Sequence, residues 1–314
     1  MEVAPRPGVH AVIGSGPVGR HLVRRLVESG ASVRVITRSG IAIDGADAII
    51  CDAADREALC SATSGASVIY NAANPAQYHR WQEIWPPLAG SILCAATAHG
   101  AALATVGNLY AYGPVTGPIT EDTPLAPTAL NGRIRRDMWL DALAAHEAGR
   151  VRVVEARGGN YIGAGVQSFF DRATRALRTG KSPSGLGDVT QPITWTYPGD
   201  MATTLIAAAN SDDALGRPWH VPSNPARSQQ ELVDDLADAA GVPRQRVRPL
   251  PAALLWSLRP VVPILRPVVS LMYQYEAPFV MDDSAARAAF GISPTPWAQM
   301  IREVVADASP ARVR

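Results

Sequence analysis

The sequence predicts an α/β fold: a Rossmann-type, doubly wound parallel sheet with a smaller, mainly helical C-terminal substrate lobe. Three observations predict it. The segment Val9-His10-Ala11-Val12-Ile13 is a short apolar run that ends in Gly14-Ser15-Gly16-Pro17-Val18-Gly19 and passes at once into an amphipathic stretch. Strand-like and helix-like patterns then alternate through the first half of the chain, which is the pattern of a parallel sheet covered on both faces. Beyond about Gly158 the alternation gives way to Pro- and Gly-rich connections between isolated helices.

The glycines have separate tasks at this spacing. Gly14 allows the tight turn out of the strand, Gly16 lets backbone approach a pyrophosphate, and Gly19 lets the helix lie close to the sheet. Phosphate then sits at a helix N-terminus, where free N–H groups and the helix dipole favour an anion. Pro17 in the first turn loses nothing, because its absent N–H has no intrahelical partner there. Val18, Leu22, Val23, Leu26 and Val27 recur at helical spacing up to Gly30, and Ser32 to Ile36 reads as a second strand. Further strands are expected at 48–51, 68–71, 101–106 and 151–155. Helices are expected at 56–63, at 88–99 with Gly100 as its stop, and at 133–148 with Gly149 as its stop. In the second half helices are expected at 167–178, 200–210 and 228–240. The boundaries follow: a dinucleotide-binding domain over 1–160, with 190–215 returning to it, and a substrate lobe over 161–314.

Composition excludes several classes. The chain has 314 residues, enough for a full core, and a net charge of +1, which lacks the basic excess of a nucleic-acid-binding surface. Its three cysteines, Cys51, Cys60 and Cys94, are odd in number and show no metal-ligand spacing, so no metal is expected and the thiols suit a reducing, cytoplasmic setting. No secretory leader is read at the N-terminus. The apolar stretch 248–275 is broken by Arg259, Pro260, Pro263, Arg266 and Pro267, so no transmembrane segment is expected. A membrane-surface helix and a pocket lid are alternatives there; the preferred reading is a helical pair packed in the core of the lobe.

Cofactor selectivity is read about 20 residues after the glycines, where an Asp or Glu would take the ribose 2′-OH of NAD. Here the strand ends Ile36-Thr37-Arg38-Ser39, without a carboxylate. Arg38 either pairs with a 2′-phosphate through its forked donors or stands as a solvated loop arginine. The first reading makes NADP(H) the preferred cofactor and the second leaves NAD(H) open. Asp52 either accepts from the adenine amino group or caps a helix.

The chain resembles the extended short-chain dehydrogenase/reductase superfamily, in its NAD-dependent epimerase/dehydratase group. The resemblance rests on Gly14 to Gly19, Asn71-Ala72-Ala73, Tyr112-Gly113-Pro114, Thr120 to Pro124, Tyr161-Ile162-Gly163, Tyr197 to Asp200 and Phe290-Gly291, in that order along nearly the whole chain. It implies that Asn71, Ala72 and Ala73 lie along the cofactor and that a homodimer forms. It also implies a Ser or Thr four residues before Tyr112, and a Tyr-x-x-x-Lys motif opening the next helix. The chain departs at both places. Asn108 stands at the first, and counting back from Asp137 puts Ala129 and Arg133 at the second. No Tyr-x-x-x-Lys occurs anywhere, so the resemblance is to an atypical member.

Three loops at the carboxyl ends of strands should converge on a ligand: 71–81, 107–113 and 157–165. Tyr110 is the first candidate for proton transfer, with its pKa lowered by a nearby cation, and Tyr112 is the second, with packing as the competing role. Asn108 is a hydrogen-bonding candidate, and Arg133 a replacement for the lysine. Tyr78, His79, Trp81, Tyr161 and Tyr197 are candidates for the substrate pocket, whose aromatic content favours a small apolar ligand. The resulting expectation is an NADP(H)-dependent oxidoreductase of a small carbonyl or alcohol. A non-catalytic NADP(H)- or metabolite-sensing protein, and an epimerase or dehydratase, are the alternatives.

Overall fold

The computed structural model describes residues 5–166 and 171–307. Its centre is a seven-stranded, all-parallel sheet. The strands are β1 (Val9–Ile13), β2 (Ser32–Thr37), β3 (Asp47–Ile50), β4 (Ala66–Asn71), β5 (Ala102–Asn108) and β6 (Arg152–Gly158), with an edge strand, Pro218–His220, beside β6. Their order is edge strand, β6, β5, β4, β1, β2, β3. The direction of winding therefore reverses between β1 and β4, the place where an open parallel sheet leaves a crevice at its carboxyl edge. Val12 of β1 lies opposite Val35 on one side and Tyr70 on the other.

Because side chains alternate across a strand, the sheet feeds two cores. On one face α1 (Pro17–Glu28) packs Leu22, Val23 and Leu26 against Val12, Val33, Val35 and Val68. On the other, α2 (Arg56–Ala62), α3 (Trp81–His99) and α4 (Leu130–Glu147) pack Leu59, Trp81, Trp85, Ile92 and Trp139 against Ile13, Ile36, Ile69 and Leu103.

The second half starts with α5 (Asp171–Arg178), and residues 167–170 of the helix expected there lie outside the described residues. Helix α6 (Pro198–Ala209) then returns to the sheet: Met201, Ala202 and Leu205 join the α1 face. The edge strand 218–220 follows it, just beyond the 190–215 return read from sequence. Its three residues, led by a proline, carry too little alternation to be seen in advance. Helix α7 (Gln229–Ala240) opens with a full capping box, in which the Ser228 hydroxyl accepts from Glu231 N–H and the Glu231 carboxylate accepts from Ser228 N–H. Its inner face, with Ile193, Trp195 and Phe279, forms the core of the lobe.

Two expectations need correction. Helix α3 starts at Trp81 instead of Leu88 and carries Pro86 and Pro87 inside it. The prolines deny N–H partners to the carbonyls of Gln82 and Glu83, but the buried Trp81 and Trp85, one turn apart, hold that turn on the core. The stretch 248–275 is a helical pair, α8 (Ala252–Leu258) and α9 (Leu265–Ser270), but it lies on the surface. Only a small cluster, Leu186, Leu255, Val269 and Met272, is buried beneath it. The helices α10 (Ser284–Phe290) and α11 (Trp297–Asp307) complete the described chain.

Replacing Ser228 by Ala removes one half of the capping box. The expected cost is about 1 kcal/mol, read as a lower urea midpoint with an unchanged m-value.

Candidate functional site at the carboxyl edge of the sheet

The turn after β1 has the geometry its glycines imply. Gly14 has φ +100°, and a Cβ there would lie 2.9 Å from the Ala72 carbonyl oxygen. Its N–H donates to Ile36 O at 3.0 Å, and Ala72 N–H donates to Ile13 O at 3.0 Å, tying the ends of β2, β1 and β4 into one rim. A Cβ on Gly19 would lie 2.0 Å from Gly14 O, so α1 presses on the turn itself. Gly16 is the opposite case: a Cβ there meets nothing within 4 Å. Gly16 is also the N-cap of α1, with Pro17 following, no side chain capping the helix and no acidic residue in its first turn. Ser15 and Val18 flank this opening. Arg20, not singled out in the sequence, donates to Ser15 O at 3.0 Å and adds a positive charge to the loop.

At the end of β2, Arg38 is exposed and makes no ion pair among the described residues. Thr37 beside it has a buried hydroxyl without a partner. Asp52 is exposed, and its carboxylate accepts from Ala54 N–H at 3.1 Å. The cap of α2 is Asp55, which accepts from Glu57 and Ala58 N–H, so Asp52 is not a helix cap. Asn71 is buried and its side-chain oxygen accepts from Ala73 N–H at 3.3 Å.

The residues singled out for proton transfer separate. Asn108 caps the one-turn helix Leu109–Ala111, accepting from Tyr110 N–H at 3.1 Å. Tyr112 is fully buried and packs away from the rim: its hydroxyl donates to His220 Nε2 at 2.8 Å, while His220 Nδ1–H donates to Asp282 O at 2.7 Å. Burial pushes the Tyr112 phenol up to about 12, against the pull of Arg157, whose guanidinium stacks on its ring at 4.9 Å. The competing structural role of Tyr112 is the one its contacts describe. Tyr110 is half-buried beside Trp81, with ring centres 6.3 Å apart. The expectation of a lowered pKa is wrong in sign. Burial, and then the phenols of Tyr78, Tyr275 and Tyr273, raise it well above the ordinary value.

Arg133 is exposed and donates to Thr128 O at 2.7 Å, and Ala129 is the buried N-cap of α4. The buried cation of this helix is Arg135. Its guanidinium lies 4.3 Å from the Trp85 ring and 5.2 Å from Trp81, and Nη1 donates to Val106 O at 3.2 Å. One turn earlier on the same face, buried Asn131 donates to Tyr78 O at 3.0 Å. The signal for this pair was present: 131 and 135 are in phase with Trp139, whose size requires it to face the core.

Among the pocket candidates, Tyr78, Trp81 and Tyr161 gather with Tyr110. Tyr78 stacks on Trp81 at 4.3 Å, and Tyr161 donates to Gly107 O at 2.9 Å. Trp81 is fully buried and donates to Pro75 O, so it backs this group. Tyr273 and Tyr275, from the lobe, complete it; sequence gave no spacing to connect residues so far apart. His79 is exposed on the turn Tyr78–Arg80. Tyr197 lies elsewhere, at the start of α6, where it donates to Glu303 at 2.6 Å and meets the His21 ring at 5.3 Å. Among the described residues no cluster of His, Cys, Asp and Glu could hold a metal ion, and no helix is long and apolar enough to cross a membrane.

A parallel sheet that reverses at β1/β4, with a glycine turn at that switch point, defines the class: a Rossmann-type protein with a dinucleotide-type loop. The model of the NAD dependent epimerase/dehydratase family matches residues 11–221, and the chain belongs to that family. It is 27% identical over 252 residues to the dTDP-6-deoxy-L-talose 4-dehydrogenase (NAD(P)(+)) of Kitasatospora kifunensis, covering 74% of this chain and 79% of that one. Its fold is similar to that of a dTDP-glucose 4,6-dehydratase from Streptomyces venezuelae solved with NAD bound (TM-score 0.77, 17% identity, 97% of each chain). It is also similar to the UDP-glucose 4-epimerase of Thermotoga maritima (TM-score 0.77, 15% identity, 95% and 98%).

His220 has its pKa lowered from the ordinary 6.5, chiefly by burial and despite nearby Glu121. Between its folded value and 6.5 the unfolded chain binds the extra proton, so stability falls as pH drops through that window. His220→Gln should flatten this acid-side slope, measured as denaturation midpoints at pH 7.5, 6.5 and 5.5.

Proposed function

We propose that this chain is an NADP(H)-binding oxidoreductase acting on a small, largely apolar carbonyl or alcohol. The observation that carries the reading is the open, side-chain-free space over Gly16 at the uncapped start of α1, with the exposed Arg38 at the end of β2. The N–H groups of the turn and of the first turn of α1 would hold a pyrophosphate, with Arg20 adding charge beside it. Arg38 would pair with a 2′-phosphate, and the orphaned Thr37 hydroxyl supplies a further hydrogen bond at the same strand end. The kifunensis relative, whose name covers both nicotinamide cofactors, is consistent with a dinucleotide here and leaves the preference to Arg38. When bound, the nicotinamide supplies hydride transfer; the chain's own residues supply orientation and a proton.

Tyr110 is the proton-bearing group of choice. Because burial raises its pKa, it stays protonated at neutral pH and donates a hydrogen bond to a carbonyl oxygen. It is unsuited to act as a phenolate base, so the site favours reduction of a carbonyl over oxidation of an alcohol. Tyr78, Tyr161, Tyr273 and Tyr275 lie close enough to act on its phenol or on one another's, and that aromatic setting would suit a small apolar substrate. Sugar nucleotides, the substrates named for the relatives, are the class to run beside it. A second reading, a binding protein without turnover, is favoured by one observation: Ala129 and the exposed Arg133 stand where the family's tyrosine and lysine would.

The deciding experiment combines NADPH with a panel of small carbonyls and nucleotide sugars and follows absorbance. Reduction of apolar carbonyls supports the oxidoreductase; tight NADPH binding without turnover across the panel supports the binding protein and sinks the enzyme. Arg38→Asp should weaken NADPH at least about tenfold, the loss of one charge-assisted phosphate contact, and leave NADH affinity unchanged. Equal effects on both would remove the 2′-phosphate assignment. Tyr110→Phe should lower kcat for reduction by about a hundredfold without changing NADPH affinity. In the unmodified protein that rate should stay flat from pH 6 to 9, because the phenol titrates above that range.

A further inference from the structure

The helical pair α8–α9 carries an apolar surface that the dinucleotide site does not use. Among the described residues, five of the nine large exposed apolar side chains lie between 254 and 264: Leu254, Trp256, Leu258, Val261 and Ile264. Trp256 is 54% exposed and Val261 76%. Exposed apolar side chains gathered this densely mark an interaction surface, whereas scattered single residues would need no explanation.

Arginine dominates the charge around it, with the exposed Glu276 as the one carboxylate at its C-terminal end. Residues 239–275 contain five arginines and no acidic residue, in a chain whose net charge is +1. Arg244 is paired with Asp238 at 2.6 Å. Arg246, Arg248, Arg259 and Arg266 are exposed, and none of them makes an ion pair among the described residues. Arg259 stacks on Trp256 at 4.3 Å, placing a cation directly against the exposed ring. Each helix is short, seven residues in α8 and six in α9, with prolines at 260, 263 and 267, so the pair cannot span a bilayer but can lie along one. Apolar and aromatic side chains beside arginines, with no acid before Glu276, are the composition of a segment that seats at the headgroup boundary of an anionic membrane.

We infer that α8–α9 is a membrane-docking hairpin that seats the protein on an anionic phospholipid surface, Trp256, Val261 and their neighbours entering the interface and the arginines meeting the headgroups. This goes beyond the dinucleotide reading and does not depend on it. The hairpin has a second contact that gives docking a consequence. A cavity of about 210 Å³ lies under it, lined by Leu255, Trp256 and Val269 on one side and by Pro114 and Thr128 on the other. Thr128 directly precedes the N-cap of α4, so a docked hairpin brings the cavity beside the site up to the membrane surface.

The test is co-sedimentation of the full chain with vesicles of phosphatidylcholine alone and of phosphatidylcholine with phosphatidylglycerol. Binding is expected only with the anionic lipid, weakening as salt rises. Arg259→Glu combined with Arg266→Glu should reduce partitioning at least about tenfold, and Val261→Asp, at a site too exposed to disturb folding, should do the same. Equal binding to both vesicle types, or binding unchanged in both variants, overturns the inference. So does an association of the free protein that Val261→Asp abolishes in sedimentation velocity, because a second copy of the chain then covers the patch.

Discussion

At position 19 a Cβ would sit 2.0 Å from the Gly14 carbonyl oxygen, so α1 can lie against the turn that feeds it only because no side chain intervenes. Much else hangs on this approach. It fixes the start of α1 over the switch point between β1 and β4, leaving Gly16 open to the crevice. It sets the height at which α6 packs on α1 through Leu22, Leu26, Met201 and Leu205. From α6 the constraint passes to the lobe, because Tyr197 at its start holds Glu303 of α11 and Asp200 accepts from the backbone and hydroxyl of Thr295. The nucleotide loop and the placement of the second half are therefore one packing problem.

The two halves of the site differ in how they are made. The loop half is built from backbone: glycine conformations, ladder hydrogen bonds at the strand ends and free N–H groups on α1. It needs few specific side chains to exist. The other half depends on which side chains α4 buries against its neighbours, and there the residues are Asn131, Arg135 and Trp139, with Arg133 outside. A family member can therefore keep the first half intact while the second is rebuilt around different groups.

This contrast also explains what was legible in the sequence. The six main strands and the glycine turn were visible because continuous apolar runs and a glycine-rich turn are local signals. Asn108 ends β5 and Tyr110 and Tyr112 follow it on the next turn, near where the sequence put them, but their roles depend on partners far along the chain. The partner of Tyr112 is His220, and Tyr110 is surrounded in part by Tyr273 and Tyr275. Choosing Arg133 over Arg135 came from counting residues against a motif; the helical phase with Trp139 was the better guide, since burial on α4 follows the 3.6-residue period. The surface position of 248–275 was illegible for another reason. Its residues are apolar enough for a core, and only the fold shows that the lobe core is already filled by α7, α11 and the 193–197 segment.

Arg135 shows how the rebuilt half holds together. A guanidinium in a dry interior needs compensation, and a direct carboxylate would usually provide it. Here Glu155 acts on Arg135 through space, but the direct bond of that carboxylate, at 2.6 Å, goes to the second buried arginine, Arg157. Arg135 instead takes one carbonyl and the faces of two tryptophans, and its Nε has no partner. Burial lowers its pKa, with Glu155 opposing, yet arginine starts so high that the charge persists. That charge also reaches Tyr161, whose phenol is raised by burial and pulled down by Arg135. On the reading proposed above, a fixed positive charge behind a cluster of neutral phenols would stabilise negative charge developing on an oxygen hydrogen-bonded to them. In water such a field would be screened; behind Trp81 and Trp85, both sealed from solvent, it is not. In the oxidoreductase reading proposed above, that charge would act through space, and only while the two tryptophans keep water out.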